Sequence, residues 1–142
     1  MGIKVAKGSD LHRRLIECGA ISAKKKTIRR QDGYKSQLEA DYAAHLDVLV
    51  RASEIVGWLY EPVKGLRLGD DLSYSPDWIV INNPDDGIGP FYFVETKGYE
   101  RRHDRTTFIS ASRIFWFIEF RMVKRIDGVW VTTRRMLGGK NI

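Results

Sequence analysis

At 142 residues, with 43% apolar and 30% charged side chains, the chain is long enough for one compact domain with a real core, too short for two ordinary ones, and globular in composition. Its formal net charge of +6 is as compatible with a nucleic-acid partner as with a solvated basic surface. A lone Cys18 excludes an internal disulfide and a cysteine-rich zinc site; the aromatic run Ile114 to Ile118 is far too short to span a membrane, and no signal-peptide stretch opens the chain, so a soluble, cytoplasmic protein is expected.

In chain order, residues 1–33 show no strong periodicity and are expected to form a basic arm or a short helix around Leu11 to Cys18. This stretch carries the first basic cluster, Lys24, Lys25, Lys26, Arg29 and Arg30. A single domain is expected over 34–137. Its first firm element is a helix from about Gln37 to Ala52, in which Ser36 caps the start, Glu39 completes a capping box, and Leu38, Tyr42, Leu46 and Leu49 form the apolar stripe. A strand over Gly57 to Leu68 is interrupted at Pro62 and resumes after Gly65. A second strand follows in "LSYSPDWIVIN", a dense turn in "NPDDGIGP", and a third strand in "FYFVETK". Beyond it, a helix is expected from Asp104 to about Phe117, and "FRMVKRIDGVWVTT", with its DG turn between alternating flanks, suits a hairpin. Residues 138–142 are expected to fray. Phe115, Trp116, Phe117 and Trp130 suit a core or a dimer interface better than base stacking.

The chemistry concentrates at the end of the third strand. Side chains alternate faces along a strand, so Glu95 and Lys97 point the same way as Phe93, while Tyr92 and Val94 point the other way. A strand apolar on both faces belongs in the middle of a sheet, where ionised groups are costly unless paired or bound to a cation. If the second and third strands pair through the turn at Asn83 to Pro90, residues whose numbers sum to about 172 or 173 lie opposite each other, and Asp77 faces Glu95 or Thr96. Two carboxylates beside a lysine suit a hard divalent cation and the hydrolysis of a phosphodiester. Each residue also has an ordinary explanation: a solvated ion pair for Glu95 and Lys97, turn chemistry for Asp77, a helix cap for Glu39. An acid on the first helix, PD at the second strand and ExK at the third, in a basic chain, is much less expected by chance.

"SPDW" and "VETKG", in this order, resemble the PD-(D/E)xK nuclease superfamily. The longer pattern "YKSQLEADYAAHL", "YEPVKGLRL", "YSPDWIV", "VETKG", with "KKK" ahead of it, is similar to small phage-borne endonucleases akin to Holliday-junction resolvases, over about residues 24 to 98. The resemblance implies an α+β fold with a restriction-endonuclease-like αβββαβ core, a mixed central sheet flanked by helices. It also implies Mg²⁺-dependent cleavage of branched or recombination DNA in the host cytoplasm. Asp77 and Glu95 would then be metal ligands, with the Thr96 carbonyl as a further one, Lys97 the catalytic lysine and Glu39 the helix-one acid. The same oxygen ligands accept Mn²⁺. Lys24, Lys25, Lys26, Arg29, Arg30, Arg101, Arg102 and Arg105 are expected to contact DNA phosphates, with His103 near them. The chain departs from the family pattern after residue 100, where "YERRHDRTTFISASRIFWFIEF" and a hairpin replace a lysine-rich helix and a short last strand. Two alternatives remain beside the nuclease: a non-catalytic nucleic-acid-binding protein, and a nuclease subunit that cuts only with a partner. Action on branched DNA would call for two active sites and hence a homodimer. No small-molecule cofactor motif is present.

Overall fold

The computed structural model describes residues 33–86 and 89–142; Lys24, Lys25, Lys26, Arg29, Arg30 and the helix expected near Leu11 lie outside them. The first helix, α1, runs over Gln37–Arg51. Its start is built as the sequence implies, with Ser36 accepting from the Glu39 amide at 3.1 Å and Glu39 accepting from the Ser36 amide at 3.3 Å. Tyr42, Ala43 and Leu46 are its buried residues.

Strands follow in the order β1 (Ile55–Tyr60), β2 (Leu66–Arg67), β3 (Ser73–Tyr74), β4 (Trp78–Asn82) and β5 (Phe91–Thr96). The second helix, α2, covers Arg102–Ile114, and β6 (Glu119–Ile126), β7 (Val129–Leu137) and β8 (Lys140–Asn141) complete the chain. Six strands form one mixed sheet in the order β1-β4-β5-β6-β7-β8, and β2 and β3 form a separate two-stranded ribbon. The pairs β1–β4 and β4–β5 are antiparallel. The β5–β6 pair, joined through α2, is parallel. The fold is therefore α+β, and helix, three antiparallel strands, helix and parallel strand follow one another as αβββαβ.

Alternation along the strands sends the two apolar sets to opposite faces. Tyr92 and Val94 of β5 join α1 through Tyr42, Ala43 and Leu46 in one cluster. Phe93 joins α2 through Phe108 and Ala111, with Phe120 and Met122, in the other. Each helix covers one face, and β5 lies in the interior of the sheet with Val94 fully buried. Full burial of a residue such as Leu46 contributes roughly 1.5–3 kcal/mol, so the two clusters fix the helices on the sheet more firmly than helix propensity can.

Three expectations need correction. "LSYSPDWIVIN" is not one strand: Pro76 cannot donate to a ladder, and the chain breaks there into β3 and β4. Across that break face parity is lost, for Tyr74 packs in the α2 cluster while Trp78, an even number of residues on, packs in the α1 cluster. The second helix starts at Arg102 and stops at Ile114, short of Phe117, which leaves Trp116 and Phe117 exposed on the following turn, so of the two places expected for them, core or dimer interface, the core is excluded. The segment 138–142 does not fray: Gly138 and Gly139 adopt positive φ of 58° and 77°, and β8 pairs back on β7 through Met136↔Asn141 and Leu137↔Lys140. The DG hairpin forms as expected between β6 and β7, with φ of 50° at Asp127 and 79° at Gly128, both positive as a two-residue turn of this hand requires.

Candidate active site

Three elements bring the acidic residues together. Strands β4 and β5 pair with Trp78 opposite Val94 and Ile79 opposite Phe93, a register whose continuation sets Asp77 opposite Glu95. Asp77 stands just outside the ladder because Pro76 precedes it, and Trp78 pins the position. That indole is fully buried, with Tyr60 4.8 Å, Trp58 5.3 Å and Tyr42 5.6 Å away between ring centroids. The Asp77 carbonyl accepts the Glu61 amide at 2.7 Å, tying the end of β1 to the same point.

Asp77 Oδ2 accepts two hydrogen bonds from one residue, the Thr96 amide at 2.8 Å and the Thr96 hydroxyl at 2.9 Å. Glu95 is held at both oxygens: Oε1 lies 2.8 Å from Lys97 Nζ, and Oε2 accepts the Tyr74 hydroxyl at 2.9 Å. Asp104, in the first turn of α2, lies 4.0 Å from Lys97 Nζ on another side. Glu95, Thr96 and Tyr74 are buried, and Lys97 is half-buried.

The electrostatics are unbalanced in one direction. Burial pushes the Asp77 carboxyl up, the negative charge of Glu95 pushes it further, and the two Thr96 donors only partly offset this, leaving it at about 7. At Lys97 burial opposes the charge, but Glu95, with Asp104 and Asp77 behind it, outweighs burial and holds the ammonium above its ordinary value. Burial, then the neighbouring Glu95, raises the Tyr74 phenol well above its ordinary value. Ionising Asp77 beside Glu95 therefore adds a second buried negative charge, which Lys97 offsets only in part. An oxygen-preferring divalent cation fits that donor set, and Asp77, Glu95 and the Thr96 carbonyl are the groups that would hold it.

Glu39 does not join the pair. It comes from α1, on the other face of the sheet, and its Oε2 already accepts from the Tyr60 hydroxyl at 2.7 Å and the Lys35 amide at 2.9 Å, besides the Ser36 amide. Its charge still reaches Asp77 and contributes to raising it. Among the described residues, no group of three or more His, Cys, Asp and Glu side chains could hold a metal ion.

The basic residues divide. Arg101 and Arg102 are exposed at the start of α2. Arg105 is exposed too, but its Nε pairs with Glu100 at 3.2 Å. Glu100 also faces Lys124 and Arg134, each at 3.7 Å, an internal cluster that sequence spacing gives no sign of. His103 is exposed and, with Ser73, Ser75, Asp104 and Thr107, lines an open cleft of about 240 Å³ that has Tyr74 and Glu95 in its wall. Tyr74 and Asp104 are the site residues that sequence reasoning missed. The signal for Tyr74 was a tyrosine three residues before the PD aspartate, but a continuous strand would have turned it to the face of Trp78.

No family model, curated protein or solved structure matches the chain. Among the described residues no helix is long and apolar enough to cross a membrane.

Proposed function

We propose that the chain is a metal-dependent DNA endonuclease. The observation that carries this reading is the convergence of Asp77, Glu95 and Lys97 at one end of paired strands, with Lys97 Nζ 2.8 Å from Glu95 and Asp77 held beside them by Thr96. Asp77 and Glu95, with the Thr96 carbonyl, would hold Mg²⁺ or Mn²⁺. Bound there, the ion would polarise a phosphodiester and make an attacking water more acidic.

The chain's own groups do the rest. Thr96 fixes the Asp77 carboxylate through two donors, so its orientation does not depend on a ligand. Lys97, its charge reinforced by Glu95 and Asp104, holds a donor where it can orient water or stabilise charge developing on phosphate oxygens. Glu39 acts through the field it exerts on Asp77. His103 lines the cleft at Glu95, and the exposed Arg101 and Arg102 precede it at the start of α2, where phosphates of the bound strand would pass. Branched DNA as substrate implies paired active sites and a homodimer, which sedimentation with and without DNA would detect.

The test is cleavage of labelled four-way junction, flap and linear duplex in Mg²⁺, Mn²⁺ or EDTA, with Glu95→Ala alongside. Metal-dependent cutting lost in the variant supports the reading. Salt-sensitive binding with no scission at any metal concentration would replace it with a binding role.

A further inference from the structure

Tyr74 belongs to β3, in the ribbon outside the main sheet, where it pairs with Leu66. The residue is only 6% exposed, and its ring packs against Phe120 and Phe108 at centroid distances of 5.8 and 6.3 Å. A phenylalanine would fill that space with no polar atom to desolvate, so packing does not require the hydroxyl. The hydroxyl spans from the ribbon to the sheet and donates to Glu95 Oε2 at 2.9 Å, while Lys97 occupies Oε1 at 2.8 Å. With one donor on each oxygen, the carboxylate plane is fixed from both ends and each oxygen keeps a lone pair. The donor is also neutral. A second ammonium at Oε2 would orient Glu95 equally well but would cancel the negative charge that attracts a cation; a phenol orients it and leaves that charge in place.

We infer that Tyr74 is a positioning residue: through its hydroxyl, the β2–β3 ribbon sets the orientation in which Glu95 meets a divalent cation. The inference rests on the endonuclease reading. Beside this contact the ribbon's two strands are joined by the Gly65 amide donating to Ser75 Oγ at 2.8 Å, and Leu66 and Leu68 pack against the cluster of Phe108 and Phe120, so the orientation is transmitted from a braced element. Hydrogen-bond partners of ligating carboxylates generally act in this way, and their loss weakens metal binding by about 10- to 100-fold.

The experiment compares wild type, Tyr74→Phe and Phe108→Leu as full chains. Mn²⁺ alone is titrated by calorimetry without DNA, and junction cleavage is followed against Mg²⁺ concentration. Tyr74→Phe is expected to weaken Mn²⁺ binding about 10- to 100-fold and to raise the half-saturating Mg²⁺ by a similar factor, with most of kcat regained at saturating Mg²⁺. Phe108→Leu loosens the ring without touching the hydroxyl and is expected to lower the melting temperature while leaving Mn²⁺ affinity near wild type. Unchanged Mn²⁺ affinity in Tyr74→Phe, with wild type binding and cutting normally, would overturn the positioning role and leave the endonuclease reading intact. Equal losses in both variants would assign the effect to packing and overturn it as well. A wild type that neither binds Mn²⁺ nor cuts would remove the endonuclease reading and this inference with it.

Discussion

Replacing Asp77 with asparagine should stabilise the fold while abolishing cleavage. An aspartate ordinarily titrates near 3.9, and in the folded protein Asp77 is raised to about 7 by burial and by Glu95. The sign follows from proton counting. Between about pH 4 and 7 the unfolded chain releases this proton and the folded chain keeps it, so stability falls as pH rises through that window and is flat on either side. Three pH units at 1.36 kcal/mol each set a ceiling of about 4 kcal/mol on the cost of ionising Asp77 in the fold. Asparagine keeps an oxygen to accept from the Thr96 amide and hydroxyl but carries no charge, so it escapes that cost. At about 4 °C per kcal/mol for a chain of this size, Asp77→Asn should melt roughly 5–15 °C above wild type at pH 8 in EDTA. The gap should shrink to near zero by pH 4. Thermal melts of both proteins from pH 4 to 8 measure this, and added Mg²⁺ at pH 8 should raise the wild-type midpoint alone. Identical melting at pH 8, or a gap that widens toward acid, would refute the reasoning.

Lys97→Met keeps the aliphatic stem but leaves Glu95 without its ammonium; single-turnover cleavage should fall by about 10²-fold or more, and urea unfolding should show a loss of about 1–2 kcal/mol. Glu39→Ala removes the acceptor of three donors at the start of α1 and should cost about 1–2 kcal/mol in the same assay. Because Glu39 also raises Asp77, its loss should bring the upper edge of the pH window over which stability declines down toward the ordinary aspartate range and make the total decline smaller, read from melting midpoints between pH 4 and 8. Gly128→Ala forces a side chain into φ of 79° in the β6–β7 turn and should lower stability by about 1–2 kcal/mol, seen in chemical denaturation with cleavage per folded molecule unchanged.

The parts of the site that lie close in sequence were legible there. Capping at Ser36 and Glu39 depends on a three-residue spacing, and Glu95 and Lys97 share a face because strand side chains alternate. The facing of Asp77 and Glu95 also followed from local information, since a hairpin turn sets its own register and β4 and β5 pair accordingly. The DG turn named its hairpin because its two residues must adopt positive φ.

What the sequence determined by itself was thus the α+β element order, the two-faced β5 and the PD and ExK residues, all set by interactions within a few residues or across one turn. Only the tertiary structure decided which groups complete the site. Pro76 breaks the strand and reverses the face of Tyr74, so its hydroxyl meets Glu95 from a separate ribbon. Helix α2 brings Asp104 to Lys97 from one face of the sheet, while α1 leaves Glu39 bonded to its own first turn and Tyr60 on the other. Glu100 gathers Arg105, Lys124 and Arg134 from three elements, and β8 folds back to pair with β7. Each of these contacts joins residues from different elements, and the burial that brings those elements together has no direction of its own; chain topology selects the partners.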